Sequence, residues 1–166
     1  MDEPAPYPID VTPIGIVHSR FMVPVDMPIQ TVAAPQETGH IQIFPQFEAG
    51  LRDIEGFEFL WLITLFHLVE REKLEVIPFL DTVSHGVFST RAPARPNRLG
   101  LSLVRMTSRE GNVIHFFGND MVDGTPLLDI KPYIPKFDVR QTDRIGWFGE
   151  KLQGLETTRS DDRMAS

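Results

Sequence analysis

The chain has 166 residues, 42% of them hydrophobic and 23% charged, with 14 prolines, 12 glycines, no cysteine and a net charge of −7. That length suits one domain with its own core. The lack of cysteine excludes disulfides and thiolate metal sites and fits a reducing, cytoplasmic setting, while the negative charge argues against a surface coated in phosphate contacts.

In chain order, the start MDEPAPYPID is acidic and proline-rich, unlike a signal peptide, and residues 1–11 are expected to be a flexible N-terminus. The domain proper is expected over 12–140. Ile14 to His18, His40 to Phe44, Phe57 to Phe66, Gly86 to Thr90, Leu99 to Met106 and Val113 to Phe117 are rich in β-branched and aromatic residues and read as strands. Glu110, Gly111 and Asn112 supply a hairpin turn between the last two. Residues 22–38 read as a long irregular loop, of the kind kept for a binding site or left mobile. Short helices are expected at Gln46 to Ile54, where Phe47, Leu51 and Ile54 share a face, and at Glu70 to Leu74. Residues 141–166 read as a partly disordered tail, within which Trp147 and Phe148 suit a cover for a barrel end or an interface. Short, numerous strands with proline and glycine corners predict a mainly β protein, a small closed or partly open β-barrel in a single domain. No apolar run approaches the roughly 18–20 residues of a membrane helix.

Charge is segregated along the chain. From His85 to Arg109 there are five arginines and no acidic residue, most of them in the stiff loop STRAPARPNRLGLS, residues 89–102. Two readings stand: a solvated basic loop, or planar guanidinium forks placed to bind phosphate or carboxylate. Neither a GxGxxG nor a GxxxxGK turn occurs, so a Rossmann or P-loop nucleotide site is not supported. The second notable stretch is DMVDGTPLLDIKPYIPKFD, residues 120–138, whose DGTP is a turn signal in itself. Its carboxylates also suit ribose hydroxyls, an ammonium or a sulfonium. Together the two stretches match a zwitterionic, nucleoside-bearing ligand. The five histidines have no metal-pair spacing, so no metal is expected.

VFSTRAPARPNRLGLSLV followed by DMVDGTPLLDIKPY, with PIGIVHSRF and GFEFLWLITLFH upstream, resembles the TsaA-like domain family, and the resemblance spans roughly residues 12–138. These are S-adenosylmethionine-dependent methyltransferases that act on threonylcarbamoyladenosine in the anticodon loop of tRNA. The resemblance implies a dimeric β-barrel that binds S-adenosylmethionine and tRNA. Carried over position by position, it implies cofactor contacts from Pro28, Ile29 and Gln30, from His67 and Leu68, from Arg91 and Leu101, and from Asp123, Gly124 and Thr125. Three positions depart from the family pattern: Ile29 stands for an arginine, Leu68 for a glutamine and Arg98 for a proline. Arg95, Asn97, Arg98 and Lys131 are the expected substrate contacts.

The resemblance also implies an exocyclic nitrogen as acceptor, which is weakly nucleophilic while it keeps its proton, so a base is expected. Asp120, Asp123, His67 and Tyr133 are the candidates. An alternative stays open: a cofactor-binding or RNA-binding barrel that acts on another methyl acceptor, or on none.

Overall fold

A computed structural model describes residues 9–164; residues 1–8 of the expected flexible start, and 165–166 of the expected tail, lie outside the described residues. Six strands close a barrel in the order β1 (Gly15–His18), β2 (Thr38–Ile43), β7 (Val113–Phe117), β6 (Leu99–Glu110), β3 (Phe59–Leu65) and β8 (Thr125–Pro132), every pair antiparallel. A separate two-stranded sheet pairs β4 (Glu75–Val76) with β5 (His85–Gly86). The one α-helix among the described residues, α1 (Pro135–Asp138), is a single turn. No helix among the described residues is long and apolar enough to cross a membrane.

Alternation builds the interior. In FLWLITL the side chains of Leu60, Leu62 and Thr64 are buried while their neighbours are half-exposed, and in VIHFF Ile114 and Phe116 are buried in the same way, as a period of two requires of a strand with one face in the core. Val17, Ile41, Ile43, Val104 and Leu127 complete the apolar filling. At one end of the barrel the inward positions turn small and polar: Thr64, Gly100, Ser102 and Thr125. The chain enters or leaves the barrel at this same end by its long connections, residues 19–37, 66–98 and 118–124, so the polar end is also the loop-rich end. The opposite end carries residues 44–58, which link β2 to β3, and the tight Gly111–Asn112 turn, where Gly111 takes a φ of 61° that glycine adopts without steric cost.

Several local expectations differ. The helix expected over Gln46 to Ile54 is two 3-10 segments, Pro45–Leu51 and Ile54–Gly56, separated at Asp53, whose φ of 69° breaks a helix. Phe47, Leu51 and Ile54 still face the core. Glu70 to Leu74 is not helical, because its backbone is drawn out to neighbours: Lys73 N–H donates to Ala94 O at 3.0 Å, and Leu74 O accepts from Val87 N–H at 2.9 Å. Of Gly86 to Thr90 only Gly86 is in a strand; Val87–Ser89 is a 3-10 turn. Strand β8 was not among the expected runs. Residues 141–164 lie against the loop-rich end, where Ser160 N–H donates to Met27 O and Ser160 O accepts from Asp26 N–H.

Candidate functional site

The loop-rich end holds a cavity of about 830 Å³. Its floor is the polar end of the barrel, Thr64, Ser102 and Thr125, and its sides are loops from every long connection. Of the residues expected at the site, the structure brings Pro28, Ile29, Gln30, His67, Leu68, Arg91, Arg95, Leu101, Asp120 and Thr125 to this one cavity. They come from six separate stretches of chain. Arg91 Nη1 donates to Gln30 Oε1 at 3.0 Å and so ties the arginine loop to the first long loop.

Asp120 follows the end of β7 and lines the cavity, and Ser102 Oγ donates to its Oδ1 at 2.7 Å. Burial pushes its carboxyl up to about 6, against the opposing pull of the Ser102 hydrogen bond and the Arg91 charge. Its residual accessible surface opens into the cavity. Two further residues of the cavity lining have a buried polar atom, Thr64 Oγ1 and His67 Nδ1, with no hydrogen-bond partner among the described residues. Unpaired buried polar atoms cost stability, and two of them at one cavity mark a place built for a polar ligand.

Other expected residues sit elsewhere. Asp123 lies outside the cavity: its Oδ1 accepts from Ser19 N–H at 3.0 Å and faces His18 Nδ1 at 3.2 Å. The Ser19 bond, then His18, holds its carboxyl below the usual range. Gly124, with φ 78°, makes the turn into β8, and a side chain there would come within 3.8 Å of His67 Nε2. Lys131 and Tyr133 are at the opposite end of the barrel, Lys131 paired with Asp129 at 3.2 Å and Tyr133 edge-on to Phe59 and Trp61. Six residues of extended strand, roughly 20 Å, separate Thr125 from Lys131.

The arginine loop is internally braced. Arg95 Nη1 donates to Thr90 O and Ala92 O, both at 3.1 Å, and Arg98 Nη1 to Val69 O at 2.9 Å; Asn97 is exposed at the loop tip. Arg98 has a φ of 50°, and its N–H donates to Arg95 O at 3.0 Å. Proline can satisfy neither condition, so the departure from the family's proline comes with a different local backbone. Arg98→Pro is expected to destabilise the protein by more than ~1 kcal/mol, read as a lower urea midpoint; an unchanged midpoint would refute this.

Sequence reasoning missed Thr64 and Ser102, although both fall on the inward phase of their strands and were within reach of the alternation. It also missed a cross-strand row of histidines. Register pairs His18 with His40 and His40 with His115, with ring centroids 4.8 and 5.7 Å apart. Burial first, then the neighbouring rings, lowers the pKa of His40. Among the described residues no group of three or more His, Asp or Glu is arranged to hold a metal ion. A second hollow of about 880 Å³ holds none of the expected residues, and its Asp81 and Lys151 neutralise each other at 3.2 Å.

The model of the tRNA-methyltransferase O N-terminal domain matches residues 16–139. The chain belongs to this family. A relative from Pyrococcus abyssi, named a probable S-adenosyl-L-methionine-binding protein, is 49% identical over 161 residues, which cover 97% of this chain and 88% of that protein. A tRNA (adenine(37)-N6)-methyltransferase of Mus musculus is 37% identical over 137 residues, 78% of this chain but 32% of that protein. The crystal structure of TrmO from Pseudomonas aeruginosa matches with a TM-score of 0.73 and 36% identity, over 89% of this chain and 64% of that one. The family match covers all six barrel strands except the first residue of β1.

Proposed function

We propose that this protein transfers a methyl group from S-adenosylmethionine to the exocyclic nitrogen of threonylcarbamoyladenosine in the anticodon loop of tRNA, with residues 12–140 as the methyltransferase unit. The observation that carries the proposal is the convergence of Asp120, the Gln30–Arg91 pair and two unpartnered polar groups on one cavity at the loop-rich end of a family barrel. The names and folds of the relatives support the coarser statement, an S-adenosylmethionine-dependent tRNA methyltransferase.

The cavity fits such a cofactor. Its walls are mainly apolar, with few polar groups, the pattern of sites that hold a nucleoside-bearing ligand. Gln30 and Arg91 offer contacts to a carboxylate or ribose, and Thr64 Oγ1 and His67 Nδ1 are unpaired in the lining. Bound there, the cofactor supplies a sulfonium methyl that is already electrophilic. The protein's part is alignment and removal of one proton. Asp120 is the group suited to the proton: with a pKa near 6 it is mostly ionised at neutral pH, yet more basic than an ordinary carboxylate. Ser102 Oγ fixes its direction. Arg91, exposed and anchored by one nitrogen on Gln30, keeps donors free for the carboxylate of cofactor or substrate.

The dimer belongs to the proposal. Exposed Leu99 and Leu101, on the outward phase of β6 beside the cavity, support a surface that a second copy covers, and sedimentation of the purified protein checks it. A cytoplasmic setting, where tRNA is met, is part of the same proposal.

The test is a methyl-transfer assay with two tRNA pools, one carrying threonylcarbamoyladenosine and one from cells unable to make it, read by nucleoside mass spectrometry. Methylated threonylcarbamoyladenosine from the first pool only is the expected result. Product from both pools would move the acceptor to unmodified adenosine. No product from either, with cofactor binding intact by calorimetry, would move it to another substrate.

A further inference from the structure

The family match ends at residue 139, yet one wall of the cavity comes from beyond it, including Ile145, Trp147, Phe148 and Leu155. This wall is tethered along its length. Trp147 Nε1 donates to Ser89 O at 2.8 Å, Lys151 Nζ pairs with Asp81 at 3.2 Å, and Arg159 bridges to Pro28, itself a cavity residue.

Three rings form a stack that ends in this wall. His85 lies on Trp147 with centroids 4.6 Å apart and 17° between planes, and Trp147 lies on Phe148 at 3.9 Å and 25°. The far end is anchored by Asp81, whose side chain is 6% exposed and whose carboxylate meets His85 Nε2 at 3.0 Å and Thr82 N–H at 2.7 Å. The near end is Phe148, half-buried, lining the cavity, with Trp147 its one ring partner among the described residues. The Asp81 carboxylate fixes the first ring through its contact with His85 Nε2, the first ring stacks on the second, and the second sets the plane of the third.

We infer that Phe148 is a purine-stacking residue, and that Asp81 and His85 are positioning residues that hold its ring at the correct tilt. The inference rests on the proposed function for its ligand. Every nucleobase has a π-face, and an aromatic platform held in advance binds it with little loss of side-chain freedom. The purine has two sources, the adenine of the cofactor and the target adenosine of the RNA.

The experiment uses the full chain with Phe148→Leu, which keeps apolar bulk without the ring, Phe148→Tyr, which restores the ring, and Asp81→Asn. Thermal unfolding checks that each folds. S-adenosylhomocysteine binding is measured by calorimetry, and KM for tRNA in the methyl-transfer assay. Phe148→Leu is expected to lose about 10- to 100-fold in one of the two, with Phe148→Tyr close to wild type. A loss in S-adenosylhomocysteine binding assigns the cofactor's adenine, and a loss confined to KM for tRNA assigns the target base. Asp81→Asn is expected to weaken the same quantity by less, with kcat unchanged. Phe148→Leu equal to wild type in both, while wild type binds S-adenosylhomocysteine, overturns this inference alone. Wild type that binds no S-adenosylhomocysteine overturns the proposed function with it. If Phe148→Leu fails to fold, Asp81→Asn decides: unchanged S-adenosylhomocysteine affinity and KM overturn the positioning of the ring.

Discussion

Asp120→Asn is expected to slow single-turnover methyl transfer by about 10²- to 10⁴-fold, the range for removing a general base, and at the same time to stabilise the protein at neutral pH. The second half follows from the first group's own cost. The folded pKa is near 6, above the ordinary 3.8, so the native state binds the extra proton between those values and the stability linked to it is lost as pH rises from about 4 through 6. A shift of that size, which already includes the opposing Arg91 charge, corresponds to at most about 3 kcal/mol; contact with cavity solvent reduces it to on the order of 1–2 kcal/mol. Asparagine has no such cost, so the variant's advantage should be full at pH 8 and vanish below pH 4 in urea titrations. The wild-type rate should climb through a limb near pH 6 that the variant lacks. Ser102→Ala removes a hydrogen bond that lowers the Asp120 pKa, so it should move that limb upward. A variant as fast as wild type with the same pH profile would place the base elsewhere.

The barrel was legible because half-buried strands advertise themselves by alternation, and Val113 to Phe117 appears with those bounds. Strand β8 was hidden by its own residues. Pro126 argues against a strand interior, and Asp129 and Lys131 interrupt the apolar phase near the irregularity where β8 pairs with Ile63 and Thr64. At Glu70 to Leu74 a short helix was expected, but main-chain bonds to Ala94 and Val87 decide the conformation, a tertiary effect that the local sequence does not carry. The family resemblance led to ten of the residues that line the cavity. It led less well to the roles of the arginines, because the acceptors of Arg95 and Arg98 are backbone carbonyls, and a carbonyl leaves no mark in a residue pattern. Asp120 stood equal with Asp123 and Tyr133 in the sequence. Burial beside Ser102, hydrogen bonding to Ser19 and distance along β8 separate the three only in the folded chain.

Phe116→Ala is expected to cost about 3–5 kcal/mol, the range for deleting a buried aromatic ring. Phe116 is 1% exposed, on the inner face of β7 and packed in the main core cluster. Its partner across the β2–β7 pair is Gly39, and a side chain built on Gly39 would meet the Phe116 ring at 2.6 Å. Gly39 is not among the residues with positive φ, so the glycine is present for space and not for backbone freedom. Gly39→Ala should then be an overpacking change of about 1–3 kcal/mol, and Gly39→Ala combined with Phe116→Leu should cost clearly less than the two single changes added, since the smaller side chain vacates the volume that the methyl group needs. Because β7 leads directly to Asn119 and Asp120, the thermal shift of Phe116→Ala, roughly 6–20 °C for a chain of this size, should be accompanied by weaker ligand binding below the transition. Additive costs in the double variant would mean that Gly39 is required by the strand pairing itself, and that the ring fills a hole the barrel already has.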